Sequence, residues 1–233
     1  MMTTTRSNVG AKPTSESYTV KASIVLPPDT NHHGTIFGGK LMAYIDDVAT
    51  IAATRHARHP VVTASTDSVD FLHPVKKGDA VCLSAFVTWT HRTSMEVFVR
   101  VITEDLLTGE RKVCATSFLT FVALDADGKP MHVPGVVPQT PEEKLLFDTA
   151  WERKEARKIR REESKRFAEY LGIDYKLGGT SNRRAEAATD APAPERNGFD
   201  PNASAHATAS ARSESAERSS ADRAYASIWE DWN

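Results

Sequence analysis

The chain has 233 residues, 40% of them hydrophobic, and its 29 Lys and Arg against 31 Asp and Glu leave a formal net charge of −2. That size admits one domain with a sizeable core plus accessory segments, and the near balance of charge gives no bulk attraction to nucleic acid or a membrane surface. No apolar run approaches the roughly 18 residues of a membrane span, and the polar start, MMTTTRSNVGAKPTSES, lacks the apolar centre of a signal peptide. Cys82 and Cys114 fall in strand-like runs without metal-ligand spacing, which fits a reduced cytoplasm better than a disulfide framework.

Residues 1–16 are rich in Thr, Ser, Lys and Gly, a composition that predicts disorder. Tyr18 to Leu26 alternates and reads as a first strand. A turn-rich loop follows through Pro27, Pro28, Asp29, Thr30 and Asn31, with Gly34, Gly38 and Gly39 leading into a helix. From about Phe37 to Arg55 the apolar spacing is helical: Leu41, Ile45, Val48, Ala49 and Ala52 fall at i, i+4, i+7, i+8 and i+11. A helix of about 18 residues would run roughly 27 Å. Apolar residues continue around it, so it needs cover on more than one side, and a second subunit is the natural source.

Four strands are predicted next without another helix: Val61 to Leu72, Ala80 to His91, a run around Met95 to Val101, and Val113 to Leu124. In the third strand Val81, Leu83, Ala85, Val87 and Trp89 fall on one face by alternation. His73 to Asp79 is a Pro- and Gly-broken turn, Arg92-Thr93 a tight connection, and Leu107-Thr108-Gly109 another turn. A long helix followed by hairpin-linked strands is an α+β pattern, the helix packed on an antiparallel sheet. Thr140-Pro141-Glu142-Glu143 is a capping-box helix start. Beyond Trp151 the helix is highly charged with acids among the bases, which predicts a solvated surface helix rather than a nucleic-acid arm. Gly172 is a plausible stop, and the Ala-, Ser- and Pro-rich remainder predicts disorder.

Nucleophile motifs are absent: there is no G-x-S-x-G, and neither cysteine has a recognisable activating setting. His32-His33 and His56 with His59 lack a third ligand at metal spacing. The better constellation is Asn31, Gly38, Gly39 and Asp46. Backbone N–H groups at a glycine-led helix start can hold a developing oxyanion. A carboxylate can orient and deprotonate water, and an amide can bind that water or the carbonyl. Asp46 lies about two turns, some 11 Å, beyond the glycines, so one subunit does not readily supply both ends. On pattern alone, a carboxylate that merely bridges at a dimer interface stands level with a catalytic one.

The run Asp29-Thr30-Asn31-His32-His33-Gly34-Thr35-Ile36-Phe37-Gly38-Gly39, followed by Leu41-Met42 and Ile45-Asp46, resembles the hotdog-fold acyl-CoA thioesterases, nearest to their cytosolic acyl-CoA hydrolase group. Val69-Asp70-Phe71-Leu72-His73-Pro74-Val75, Gly78-Asp79 and Arg92-Thr93-Ser94-Met95 extend the likeness over about residues 18 to 135. It implies a five-stranded antiparallel sheet wrapped around the central helix, paired into dimers and assembled as a trimer of dimers. The implied reaction is hydrolysis of acyl-CoA to a free acid and coenzyme A in the cytoplasm, with no metal and no cofactor beyond the coenzyme A of the substrate. Asn31 and Asp46 match the family's catalytic pair, supplied from opposite subunits, and Gly38 and Gly39 its oxyanion-binding helix start. Arg92, Thr93 and Ser94 fall where the family contacts coenzyme A; Lys76 and Lys77 could meet its phosphates or be solvated turn residues. A branch similar to the hydroxybenzoyl-CoA thioesterases uses an early-loop aspartate, here Asp29, but the mid-helix Asp46 fits the first branch better. The dehydratase loop His-Phe-Pro-Gly is absent. The implied division is a tail over 1–16, the hotdog domain over 17–138, a surface helix over 139–172 and a disordered tail over 173–233. A non-catalytic acyl-CoA sensor or scaffold on the same fold is the alternative.

Overall fold

The glycine-led stretch forms α1, Gly38–Ala57, in the computed structural model, which describes residues 10–171. Leu41, Ile45, Val48, Ala49, Ala52 and Ala53 on this helix are each 1% exposed or less, so the predicted apolar stripe is the core stripe. The helix ends at Arg58, whose left-handed backbone (φ 58°) returns its N–H to the Thr54 carbonyl at 2.8 Å.

Six of the strands follow from β1 (Lys12–Pro13) through β2 (Thr19–Ile24), β3 (Val61–Phe71), β4 (Ala80–Thr90), β5 (Ser94–Glu104) and β6 (Arg111–Ala123), and β7 is Val136–Val137. Five of them make one antiparallel sheet in the order β2-β4-β5-β6-β3. The sheet curls around α1. Val81, Leu83, Ala85 and Val87 of β4 and Met95, Val97, Val99 and Val101 of β5 are fully buried against the helix, as period-two alternation requires. Trp89 leaves that face. The register slips between Val87 and Trp89, pairing Trp89 with Glu96 instead of Met95, and this bulge turns the indole to the outer side.

Two further expectations change. The tail expected over 1–16 is ordered from Lys12: β1 pairs in parallel with β7, and Thr14–Glu16 is a short 3-10 turn. The reason is the end of α1, where Lys12 Nζ donates to the His56 carbonyl at 2.8 Å, a cation on the negative end of the helix dipole. The charged helix is not simply solvated. It divides into α2 (Pro141–Asp148), started by the Thr140–Glu143 capping box, and α3 (Ala150–Tyr170). Together they cover the outer face of the sheet. Arg153 bonds Glu96 on β5 at 2.7 Å and lies 4.2 Å over the Phe118 ring, and Arg100 pairs with Glu142 at 2.8 Å. Arg157, itself buried, pairs with Asp67 on β3. The stretches 1–9 and 173–233, both expected to be disordered, lie outside the described residues.

Candidate active site

Asn31 organises the loop that precedes α1. Its Oδ1 accepts the His33 N–H at 2.9 Å and the Thr35 N–H at 3.3 Å, while Nδ2 donates to Thr35 Oγ1 at 2.9 Å. Gly34 makes the turn possible with φ 73°, and its N–H meets the Asn31 carbonyl at 3.0 Å. The amide side chain is therefore fixed by its own loop, with one Nδ2–H still available. Backbone bonds staple this loop to the next turn: Ile36 N–H to Val75 O at 2.8 Å and Lys77 N–H to Gly34 O at 3.0 Å. Lys76 and Lys77 thus sit beside the Asn31 loop with exposed side chains. Asp29 is occupied structurally. Its carbonyl accepts the Phe37 N–H at 2.8 Å, and its carboxylate pairs with Lys40 at 3.1 Å, a hydrogen bond and charge that raise the lysine's pKa.

Phe37 caps α1 with no side-chain hydrogen bond, and the first turn holds no acid, so the N–H groups of Gly38 and Gly39 open an electropositive helix end. A Cβ on Gly39 would stand 2.6 Å from the Phe37 ring, so that helix start has no room for a side chain as it is packed. Beside it lies a cavity of about 340 Å³, lined largely by Ile36, Gly38, Leu41, Phe71, Leu72 and Val75.

Asp46 stands half-buried in the middle of α1, and Thr63 Oγ1 donates to its Oδ1 at 2.9 Å. This is the partner that a buried-side carboxylate requires, and sequence reasoning did not name it. The signal for it was faint: a threonine early in an edge strand, with a register break between Thr63 and Ser65 that no sequence pattern reveals. Among the described residues, no hydrogen bond joins Asp46 to the Asn31 loop within the protomer.

Arg92, Thr93 and Ser94 are elsewhere. They form the β4–β5 turn and, with α3, line a separate cleft of about 160 Å³ on the outer side of the sheet. Here His91 is pushed toward its neutral form, first by burial and then by Lys154 and Arg92. The remaining candidates resolve structurally. His56 is fully buried and its Nε2 lies 2.9 Å from the Pro134 carbonyl, so that nitrogen carries the proton. Both cysteines are free, and burial pushes the Cys114 thiol up to about 11, away from thiolate chemistry. Among the described residues no group of three or more His, Cys, Asp and Glu could hold a metal ion.

An antiparallel sheet curled around one long helix, with a glycine-led helix start and a mid-helix carboxylate, defines a hotdog fold with a hydrolase-like site. The family model of the Thioesterase superfamily matches residues 33–110. An uncharacterized acyl-CoA thioester hydrolase of Bacillus subtilis (strain 168) is 59% identical over 159 residues, 68% of this chain and 92% of that protein. The solved acyl-CoA hydrolase of Staphylococcus aureus, in complex with butyryl coenzyme A, coenzyme A and coenzyme A disulfide, is 52% identical with a TM-score of 0.67, over 70% of this chain and 99% of that one. An apo-hexameric acyl-CoA thioesterase is 57% identical with a TM-score of 0.65, over 66% and 98%. This chain belongs to the thioesterase superfamily. Alanine variants of the Staphylococcus enzyme at an aspartate, an asparagine and a threonine have also been solved.

Proposed function

We propose that this protein is an acyl-CoA thioesterase that hydrolyses the thioester of acyl-CoA to a free acid and coenzyme A, at sites shared between two subunits. The observation that carries the reading is Asp46, a carboxylate held at 2.9 Å by Thr63 in the middle of the helix that the sheet wraps. With Oδ1 engaged, Oδ2 is left to hold and deprotonate a water molecule. That water attacks the acyl carbonyl carbon. The carbonyl oxygen gains charge toward the N–H groups of Gly38 and Gly39, where a helix start with no acid in its first turn favours an anion. The free Nδ2–H of Asn31 holds the water or the carbonyl oxygen in line. The carbon–sulfur bond then breaks, and the proton taken from water passes to the departing thiolate. Coenzyme A enters as part of the substrate and leaves as product, and no metal or further cofactor is invoked.

Two features support a dimer. Asn31 is held by Thr35 in its own loop and Asp46 by Thr63 on β3, and among the described residues no hydrogen bond joins the two within a protomer. Met42, one turn before Asp46 on the same flank of α1, is also 47% exposed, apolar area that a second copy would bury. We extend this to a trimer of dimers, as in the hexameric relative. Arg92, Thr93, Ser94, Lys76 and Lys77 are assigned to the coenzyme, the apolar cavity beside Gly38 to the acyl group, and the catalytic unit to residues 17–138. The cytoplasm is the compartment that fits two free thiols.

Thiol release from a panel of acyl-CoA chain lengths tests the assignment. Turnover is expected on at least one chain length. Saturable binding without thiol release on every member, by folded protein, would instead make the chain an acyl-CoA sensor or scaffold.

A further inference from the structure

Strand β3 serves both faces of the sheet within five residues. Thr63 points to the inner face, where its hydroxyl donates to Asp46 on α1 at 2.9 Å. Asp67 points to the outer face, where Arg157 of α3 grips its carboxylate and Arg160 adds a contact at 3.1 Å. Four residues apart, the two would share one face in a strictly alternating strand. They part because β3 carries an extra residue. Thr63 pairs with Phe121 and Ser65 already with Thr120, which leaves Ala64 as a bulge. A second slip follows at once: Thr66 pairs with Leu119 and Ser68 with Phe118, so Asp67 is itself an extra residue.

Two bulges this close, on an edge strand, leave the backbone ladder a weak hold on the stretch. Side chains supply the hold instead. Ser65 Oγ donates to Asp67 Oδ1 at 2.6 Å, tying the residue after the first bulge to the second. The side chains of Asp67 and Arg157 are each 8% exposed, so water competes little for their pair. Arg157 is anchored in turn, with Glu96 on β5 3.7 Å from the same guanidinium nitrogen. Glu96 is fully buried and fixed by Thr88 at 2.8 Å and Arg153 at 2.7 Å. The grip on Asp67 therefore reaches back to the middle of the sheet. A strand free to slide through its bulges would sample registers in which Thr63 no longer meets Asp46, because a one-residue slip turns a side chain to the opposite face.

We propose that Asp67 is a positioning residue for the hydrolysis: gripped by Arg157 from the outer face, it pins the bulged stretch of β3 from which Thr63 holds Asp46 on the inner face. The inference deepens the thioesterase reading and rests on it. Helix α3 thus acts on the site through the sheet.

The test uses the full chain. Asp67→Asn keeps the shape and an acceptor for Ser65 but removes the charge that Arg157 grips. Its kcat should fall roughly tenfold while KM stays within about twofold. An acyl-pantetheine, which lacks the nucleotide, should show the same fall, which separates the effect from any change in coenzyme binding. In a Thr63→Val background, where the hydroxyl is already gone, Asp67→Asn should change kcat by less than about twofold. Ser65→Ala, a smaller cut at the same bridge, should lower kcat by about threefold with the same dependence on Thr63. Hydrogen–deuterium exchange reads the strand directly: uptake over residues 61–67 should rise in both variants while α1 stays protected. Full kcat in the variants, losses that multiply with that of Thr63→Val, or unchanged exchange in β3 overturns the proposal. If Asp67→Asn does not fold, Ser65→Ala decides on the same readouts. Failure of the thioesterase reading looks different: the wild-type chain releases thiol from no acyl-CoA, while the exchange comparison remains readable.

Discussion

Thr63 and His56 show how single polar groups next to α1 divide between chemistry and stability. Asp46→Asn keeps size and hydrogen bonding but removes the base, so turnover should fall by on the order of 10² or more. Thr63→Val deletes the hydroxyl that fixes Oδ1 at nearly constant volume. A hydrogen bond to a charged group is worth about 1.5–3 kcal/mol, so kcat should drop roughly tenfold to a hundredfold, and Thr63→Ser should recover most of it. Steady-state kinetics on the best acyl-CoA check the series; a Thr63→Val enzyme with full kcat would remove Thr63 from the site. His56 acts on stability. Burial holds its pKa below the ordinary value near 6.5, so the folded chain binds fewer protons than the unfolded one. Its contribution is then complete above the unfolded value and is lost as pH falls from there through the folded one. His56→Gln keeps an N–H for the Pro134 carbonyl and removes the titration. Urea unfolding across about pH 7 to 5 should therefore show a flatter acid decline in the variant, after allowing for any uniform loss of stability. Equal slopes would clear His56 of that role.

At the scale of elements, what could be read from the sequence depended on whether one period ran without interruption. Leu41 to Ala52 keeps a helical period, and α1 was legible to within a turn. Alternation through β4 and β5 was legible until the bulge before Trp89, because a bulge is set by partner strands and leaves no mark in its own residues. Asn31 and Asp46, the pair proposed for catalysis, stood out in the sequence by their places before and inside the glycine-led helix and by the family resemblance, whereas Thr63 did not, since its meaning depends on the strand lying against α1. Helix α3 misled for a related reason. Arginines among glutamates read as solvated, and only the fold discloses that Glu96 and Asp67, on two different strands, wait beneath them. Arg157→Ala would leave that pair of buried carboxylates short of a cation, with Glu96 also 3.7 Å from Arg157. Removing one partner of a buried ion pair costs about 3–5 kcal/mol. Denaturant unfolding should show that loss, and a double-mutant cycle with Asp67→Ala should be strongly non-additive. Additive, small changes would mean that α3 rests on the sheet without this clamp.

For the whole molecule the decisive question is which subunit supplies which residue. The Asn31 loop ends before α1 begins, and Asp46 sits well inside the helix with its hydroxyl partner on β3, an edge strand of the sheet. An edge strand offers unpaired backbone groups to a second copy, and a twofold pairing there would set each Asp46 against the partner's Asn31 loop. Asn31→Ala and Asp46→Asn should each be severely impaired alone. In a mixed dimer the shared-site arrangement puts both defects into one site and leaves the other with both residues intact. Refolding an equal mixture gives half mixed dimers, each with one of two sites working, so activity should recover to roughly a quarter of the wild-type level. Sites confined to one subunit predict none, because every site would lack one residue or the other. Subunit exchange is checked independently by mixing differently tagged copies and isolating the doubly tagged species. Doubly tagged dimers without recovered thiol release would place each active site within a single chain.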